Sequence, residues 1–290
     1  MLDNLLNKVA LVAKSFSDSS VNDFRVRVNK PNVIGFYTPH SNAGCSALLA
    51  SVANELHTPS DPVVIVDLDY IARTQAYYFL DEGEIPYSKS IKTRLSNPAV
   101  GVQEIVNYAG DKSANIGVIG SSAQEHPMDW ALPSEGFYKN LLEALSSQFG
   151  YVLVDIPSCI NTVECIESIM SCDTVYSVIR PITSQISELL YVKQIVASTT
   201  PYRGIRDKIK TVIQTQVNGN HFSVNDFKDA GLELKGNTFQ DLDLMSSMDN
   251  CKLPKSITNK NVKTYIEFSK ALAEEIKASV NRNVVDTNKN

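Results

Sequence analysis

The stretch PNVIGFYTPHSNAGCSALLASVANEL, residues 31–56, decides how the rest of the chain is read. Val33–Tyr37 is a short, bounded apolar run of the kind that forms a buried strand. Thr38–Gly44 is turn chemistry, with Pro39, His40, Ser41, Asn42 and Ala43 between its ends. From Ser46 onward, Leu48, Leu49, Val52, Ala53 and Leu56 fall at helical spacing. Strand, tight polar loop and helix form a layout in which backbone N–H groups and a helix N-terminus face an anion.

A phosphate-binding P-loop needs Gly-x-x-x-x-Gly-Lys-Ser/Thr, its lysine reaching the β- and γ-phosphates and its hydroxyl holding Mg²⁺. Pro39 stands at the first glycine, Gly44 keeps the second, Cys45 replaces the lysine and Ser46 keeps the hydroxyl. Taken alone the match is short, and a strand–turn–helix without a ligand competes with it.

With 290 residues and 43% hydrophobic content, the chain can bury one large core or two small ones. A formal charge of −5 gives no global drive toward nucleic acid or anionic lipid. No run approaches the ~20 apolar residues of a membrane span, and the first residues lack the pattern of a signal peptide. The five cysteines include no C-x-x-C pair and the four histidines are scattered. Those patterns argue against zinc or a disulfide framework and for a reducing cytoplasm.

Residues 1–16 place Leu2, Leu5, Leu6, Val9, Val12 and Phe16 on one side of a short helix. It is expected to pack on the domain or a partner, with a membrane-surface anchor as the minor reading. Pro62-VVIVDLD is a continuous apolar strand ending in Asp67 and Asp69, as in parallel sheets covered on both faces. Carboxylates at such strand ends lie on the ligand-binding edge; the alternative is that they cap the next helix. Helices are expected over 70–80 and 100–108, joined by a polar link, then a strand over 115–121. Ser122–Pro133, with His126 and Trp130, reads as a loop. Phe137–Phe149 is an amphipathic helix, and Tyr151-VLVDIP a strand ending in Asp155, the Walker B pattern of a Mg²⁺-holding carboxylate. Helix from Cys165, strand Thr174-VYSVIRP, helix Ser184–Ser198, strand from Ile209 and a final helix Val262–Ala278 complete the alternation. The expectation is an α/β fold: a doubly wound, mostly parallel sheet with helices on both faces. It divides into an N-terminal extension (1–30), one α/β domain (31–280) and a disordered tail (281–290).

The loop at 38–46, VDLD at 66–69, VLVDIPS at 152–158 and their order resemble the ParA/MinD superfamily of deviant Walker ATPases. The family loop, Lys-Gly-Gly-x-Gly-Lys-Ser/Thr-Thr, falls on His40, Ser41, Asn42, Ala43, Gly44, Cys45, Ser46 and Ala47. Both lysines are absent. The resemblance implies that residues 40–46 line the nucleotide and that Ser46, Asp67 and Asp155 would hold Mg²⁺. It implies that Asp69 would position the attacking water and that Gln214 replaces a base-contacting Asn. FYKNLLEALSSQFGYVLVDIPSCIN and the segments after it are similar to the TadZ/CpaE branch of Flp pilus systems. Many members of that branch carry an N-terminal receiver-like domain, where this chain has about thirty residues.

Removing the loop lysine removes a full charge from beside the phosphates, a change that costs several kcal/mol of transition-state stabilisation. Turnover at a useful rate is not expected, and ATP with Mg²⁺ would bind weakly or not at all. One function reading is a non-catalytic, homodimeric positioning scaffold for the cytoplasmic parts of a pilus or secretion apparatus. It would be cytoplasmic, polar or peripheral to the inner membrane through its partners. The other is an ATP-dependent ParA-type partitioning switch that binds DNA. Arg203, Arg206, Lys208 and Lys210 cluster, but read as a solvated helix end, so nucleic acid is not expected.

Overall fold

The computed structural model describes residues 32–40, 43–81, 83–97, 99–108, 115–125, 133–134, 136–160 and 162–196. Beyond these it describes 208–209, 211–216, 227, 232, 234–239, 246, 250, 253 and 259–287. The expected helix at 1–16, Ser41, Asn42, His126, Trp130 and most of the basic cluster lie outside the described residues.

Four apolar runs form the centre of the sheet, as their continuous hydrophobicity predicts. They are β1 (Val33–Tyr37), β2 (Val63–Asp67), β5 (Tyr151–Ile156) and β6 (Thr174–Ile179). With β3 (Asn107–Tyr108), β4 (Ile116–Ile119), β7 (Thr211–Gln216) and β8 (Leu234–Phe239), they make one sheet in the order β3-β4-β2-β5-β1-β6-β7-β8. Every pairing is parallel except β3 against β4.

Alternate residues of each central strand enter opposite layers. Ile34, Phe36, Ile65, Leu153, Tyr176 and Val178 share a core with Leu48, Leu49, Val52, Tyr265, Leu272 and Ile276. The latter belong to α1 (Cys45–Leu56) and the C-terminal helix, Lys260–Thr287. On the other face, Val33, Val64, Val66, Val152 and Val154 pack with Tyr138, Leu141, Leu145, Ile166 and Ile169. These come from the helices Phe137–Ser146 and Val163–Ser171. The helices expected on both faces are therefore present. Gly35 marks a close approach between β1 and this layer: a Cβ there would lie 2.7 Å from Ile156 Cδ1 and 2.9 Å from Cys172 Sγ.

Several expected elements differ. The helix expected over 70–80 is confined to α2 (Thr74–Phe79), because residues 67–73 make side-chain-bonded turns. The polar link contains α3 (Ile91–Ser96), capped by Ser90 Oγ accepting from Lys92 N–H at 3.2 Å. Instead of a helix over 100–108, a 3₁₀ turn at Val102–Ile105 leads into β3. The helix after β6 is Thr183–Tyr191, followed by a π turn at Val192–Val196. The final helix continues to Thr287 rather than giving way at 281, since residues 260–287 contain neither Gly nor Pro.

The helix Val163–Ser171 begins just past β5, where Thr162 Oγ1 accepts from Cys165 N–H at 3.3 Å. Thr162→Ala is expected to cost about 1 kcal/mol, read as a lower denaturant midpoint. An unchanged midpoint would show that this cap contributes nothing net.

Candidate functional site

Because β5 lies between β1 and β2, the loop leaving β1 and the carboxylates ending β2 and β5 converge. They meet at the C-terminal edge of the sheet, the ligand-binding edge of open α/β folds. Gly44 turns the chain into α1 with φ 84°, a left-handed conformation that favours glycine. Its carbonyl accepts the first helical bond from Leu48 N–H at 3.0 Å. No side chain caps α1 and no acidic residue occupies its first turn.

Asp67 and Asp155 are direct partners in register and only 2% and 4% exposed. Asp67 Oδ1 accepts from Asp69 N–H at 3.1 Å, and Oδ2 from Gln75 N–H at 2.9 Å. It therefore caps α2 from across the strand end. Asp155 Oδ2 accepts from Gln75 Nε2 at 2.7 Å, and Asp155 also takes a hydrogen bond from the Ser46 hydroxyl. The same Gln75 Nε2 donates to the Ser46 carbonyl at 3.0 Å. Both partners are acceptors, which fixes the amide with nitrogen toward them. Gln75 is fully buried, and its Oε1 has no hydrogen-bond partner among the described residues. Leaving such an acceptor unpaired costs about 1–3 kcal/mol.

No described lysine or arginine forms an ion pair with either carboxylate. Burial pushes the Asp155 carboxyl up to about 6, against the hydrogen bonds from Gln75 and Ser46 and with the added repulsion of Asp69. Burial pushes Asp67 up as well, followed by the charge of Asp155. Two acids this close take up protons as a pair. Burial, then the charge of Asp155, raises the Cys45 thiol, so it is neutral at physiological pH.

The segment between Asp67 and α2 is tightly held. Asp69 Oδ1 accepts from Ile71 N–H at 3.2 Å and Ala72 N–H at 3.0 Å. Arg73 adopts φ 50°, uncommon for a residue with a Cβ, and its Nη1 donates to the Ser122 carbonyl at 3.3 Å. Tyr70 and Tyr138 share a hydroxyl–hydroxyl bond of 2.8 Å beneath the loop.

With this geometry in view, the comparison with solved structures is decisive for the fold. A ParA family ATPase from Chlorobium tepidum matches with a TM-score of 0.66 at 16% identity, over 82% of this chain and 97% of its own. MinD complexed with Mg-ADP from Pyrococcus horikoshii matches at 0.68 and 13% identity, over 86% and 98%. A chain of the MinC:MinD complex from Aquifex aeolicus matches at 0.66 and 16%, over 83% and 95%. The fold is that of the ParA/MinD ATPases. Neither protein-family models nor curated protein sequences give a match.

In this ParA/MinD-type fold, Gly44, Cys45, Ser46, Asp67 and Asp155 lie together at the C-terminal edge of the sheet. Ala43 and Cys45 are buried in the apolar layer beneath α1, whereas His40 is exposed and its N–H bonds Thr38 Oγ1 at 3.4 Å. Asp69 is occupied as a turn-forming acceptor. The backbone of Gln214 pairs with Ile179, the last residue of β6, and with Asn237. Sequence reasoning missed Gln75, which stands in no motif and follows Asp69 by six residues.

Ser46, Asp67 and Asp155 are donors of the chemistry that Mg²⁺ takes. As arranged, however, Asp67 spends both oxygens on backbone N–H groups, and the Gln75 amide spans Asp155 and the Ser46 carbonyl. Mg²⁺ does not fit this arrangement unless Gln75 moves. The described loop also brings no lysine or arginine to a phosphate.

Proposed function

We propose that this chain is a non-catalytic or very weakly active ParA/MinD-like positioning and scaffold protein of TadZ/CpaE type. It would act as a homodimer and localise the cytoplasmic components of a pilus or secretion apparatus, at a pole or against the inner membrane through those partners. The observation that carries the reading is Cys45: a buried, neutral thiol where the resemblance places the phosphate-binding lysine. Phosphoryl transfer depends on charge neutralisation at that point, and a thiol supplies none. The ParA/MinD fold supports a positioning role, and the MinC:MinD complex is a neighbour that assembles with another protein. No helix among the described residues is long and apolar enough to cross a membrane, in keeping with attachment through partners.

The ATP-dependent switch is favoured by one observation, the retained convergence of Ser46, Asp67 and Asp155, together with a neighbour complexed with Mg-ADP. Calorimetric titration with Mg-ATP and a steady-state ATPase assay separate the readings. The scaffold reading expects no binding heat in the micromolar range and no turnover above buffer. Micromolar binding with turnover like that of a working family ATPase would overturn it and move the switch to first place.

A further inference from the structure

We propose that Gln75 is an internal plug of the cation position, its side-chain amide held between Asp155 and Ser46, so that the native chain excludes the ion until Gln75 is displaced. This deepens the reading of a site without turnover and rests on it for the location alone. Three observations carry it. Gln75 Nε2 lies 2.7 Å from Asp155 Oδ2 and 3.0 Å from the Ser46 carbonyl, tying a strand-end carboxylate to the first turn of α1. The residue is fully buried, and its amide bonds both groups directly. Its Oε1 is left without a partner among the described residues, so the amide is not there to satisfy its own hydrogen-bonding capacity.

The plug is built from the local chain. Asp67 Oδ2 accepts the Gln75 backbone N–H at 2.9 Å, anchoring the first turn of α2 beside β2 and β5 and directing the side chain to Asp155. An amide donor imitates the direction of a cation's field without its charge. It therefore leaves two adjacent buried carboxylates without a countercharge among the described residues. Because the backbone N–H makes the Asp67 bond, replacing the side chain removes the plug and keeps the cap.

The test uses Mn²⁺ alone, without nucleotide, followed by the electron paramagnetic resonance of the free ion. Native protein is expected to bind Mn²⁺ poorly. Gln75→Ala is expected to bind it at least about tenfold more tightly, since a competing internal bond to a charged group lowers apparent affinity by the fraction of open sites. Adding Asp155→Asn should abolish the gain, placing the ion at this site rather than on surface carboxylates. Should Gln75→Ala lose its helical circular dichroism, Gln75→Asn serves, being too short to reach both acceptors from the same backbone. Equal affinity in native and variant protein overturns the plug; weaker binding by the variant makes Gln75 a ligand and overturns it too. With no nucleotide present, this outcome is independent of the Mg-ATP titration: turnover by native protein defeats the scaffold reading, and an absent gain defeats the plug.

Discussion

Denatured in the presence of a chelator, the protein is expected to be more stable near pH 5 than at pH 8, the reverse of what salt-bridged carboxylates produce. Asp155 is held at about 6 in the fold against 3.8 in the open chain, and Asp67 is raised too. A carboxyl raised by folding binds its proton more tightly in the native state, so its stabilising contribution is complete below the unfolded value. That contribution is lost as pH rises through the folded value. For Asp155 the window is about pH 4 to 6, with Asp67 extending the decline upward. By linkage, ionising Asp155 alone costs about 3 kcal/mol at pH 8. Asp155→Asn should restore a comparable amount at pH 8 and flatten the profile. Its carbonyl oxygen can still accept from Gln75 Nε2, and no charge is left to desolvate. The measurement is the guanidinium midpoint of both proteins across pH 5–8. A native midpoint that falls on acidification from 8 to 5, or a variant less stable than native at pH 8, would contradict the arrangement.

VIGFY, VVIVD, YVLVDI and TVYSVI were legible because strands buried on both faces must be apolar at every position. The helical faces carrying Leu48, Leu49 and Val52, and Leu141, Leu142 and Leu145, were legible for the same reason. β8 was not: LKGNTF is polar, contains Gly236 and sits at the sheet edge, where one side of the ladder needs no partner. Nor were α3, the 3₁₀ turn at Val102–Ile105 or the two-residue β3, each too short for periodicity to register. At the site, the motif residues came together because strand order dictates it. The occupancy of those residues was invisible. That Asp67 and Asp69 cap the next helix was one of two readings open from the sequence; the hydrogen bonds show Asp67 doing so, whereas Asp69 closes the turn before that helix. Gln75 carried no signal at all. Its role depends on where α2 starts, which the turns at 67–73 set two residues upstream.

Cys45→Lys is expected to bind ATP between about tenfold and a hundredfold more tightly than the native protein, the worth of one or two charge-assisted bonds to phosphate. Position 45 opens α1 beside Gly44, and its side chain is close enough to Asp155 to feel that carboxylate's charge. An ammonium placed there is desolvated, which alone would destabilise the chain. Here it meets two buried acids with no described basic partner, so attraction offsets the desolvation. The same variant should therefore lower the acid pair toward ordinary values and lose most of the pH 5–8 slope of the native protein. Cys45→Ser is the control, removing the thiol without adding charge; it should leave both ATP affinity and the pH profile unchanged. Turnover should stay absent in all three proteins, because His40 still stands where the resemblance places the second lysine. Titrations with and without Mg²⁺ then separate two contributions. A gain that needs no Mg²⁺ shows phosphate recognition returning through charge alone while Gln75 still bridges Asp155 and Ser46. A gain that appears only with Mg²⁺ would require the ion to displace that amide without help. Native protein binding ATP as tightly as Cys45→Lys would show that the missing lysine is not what silences this site.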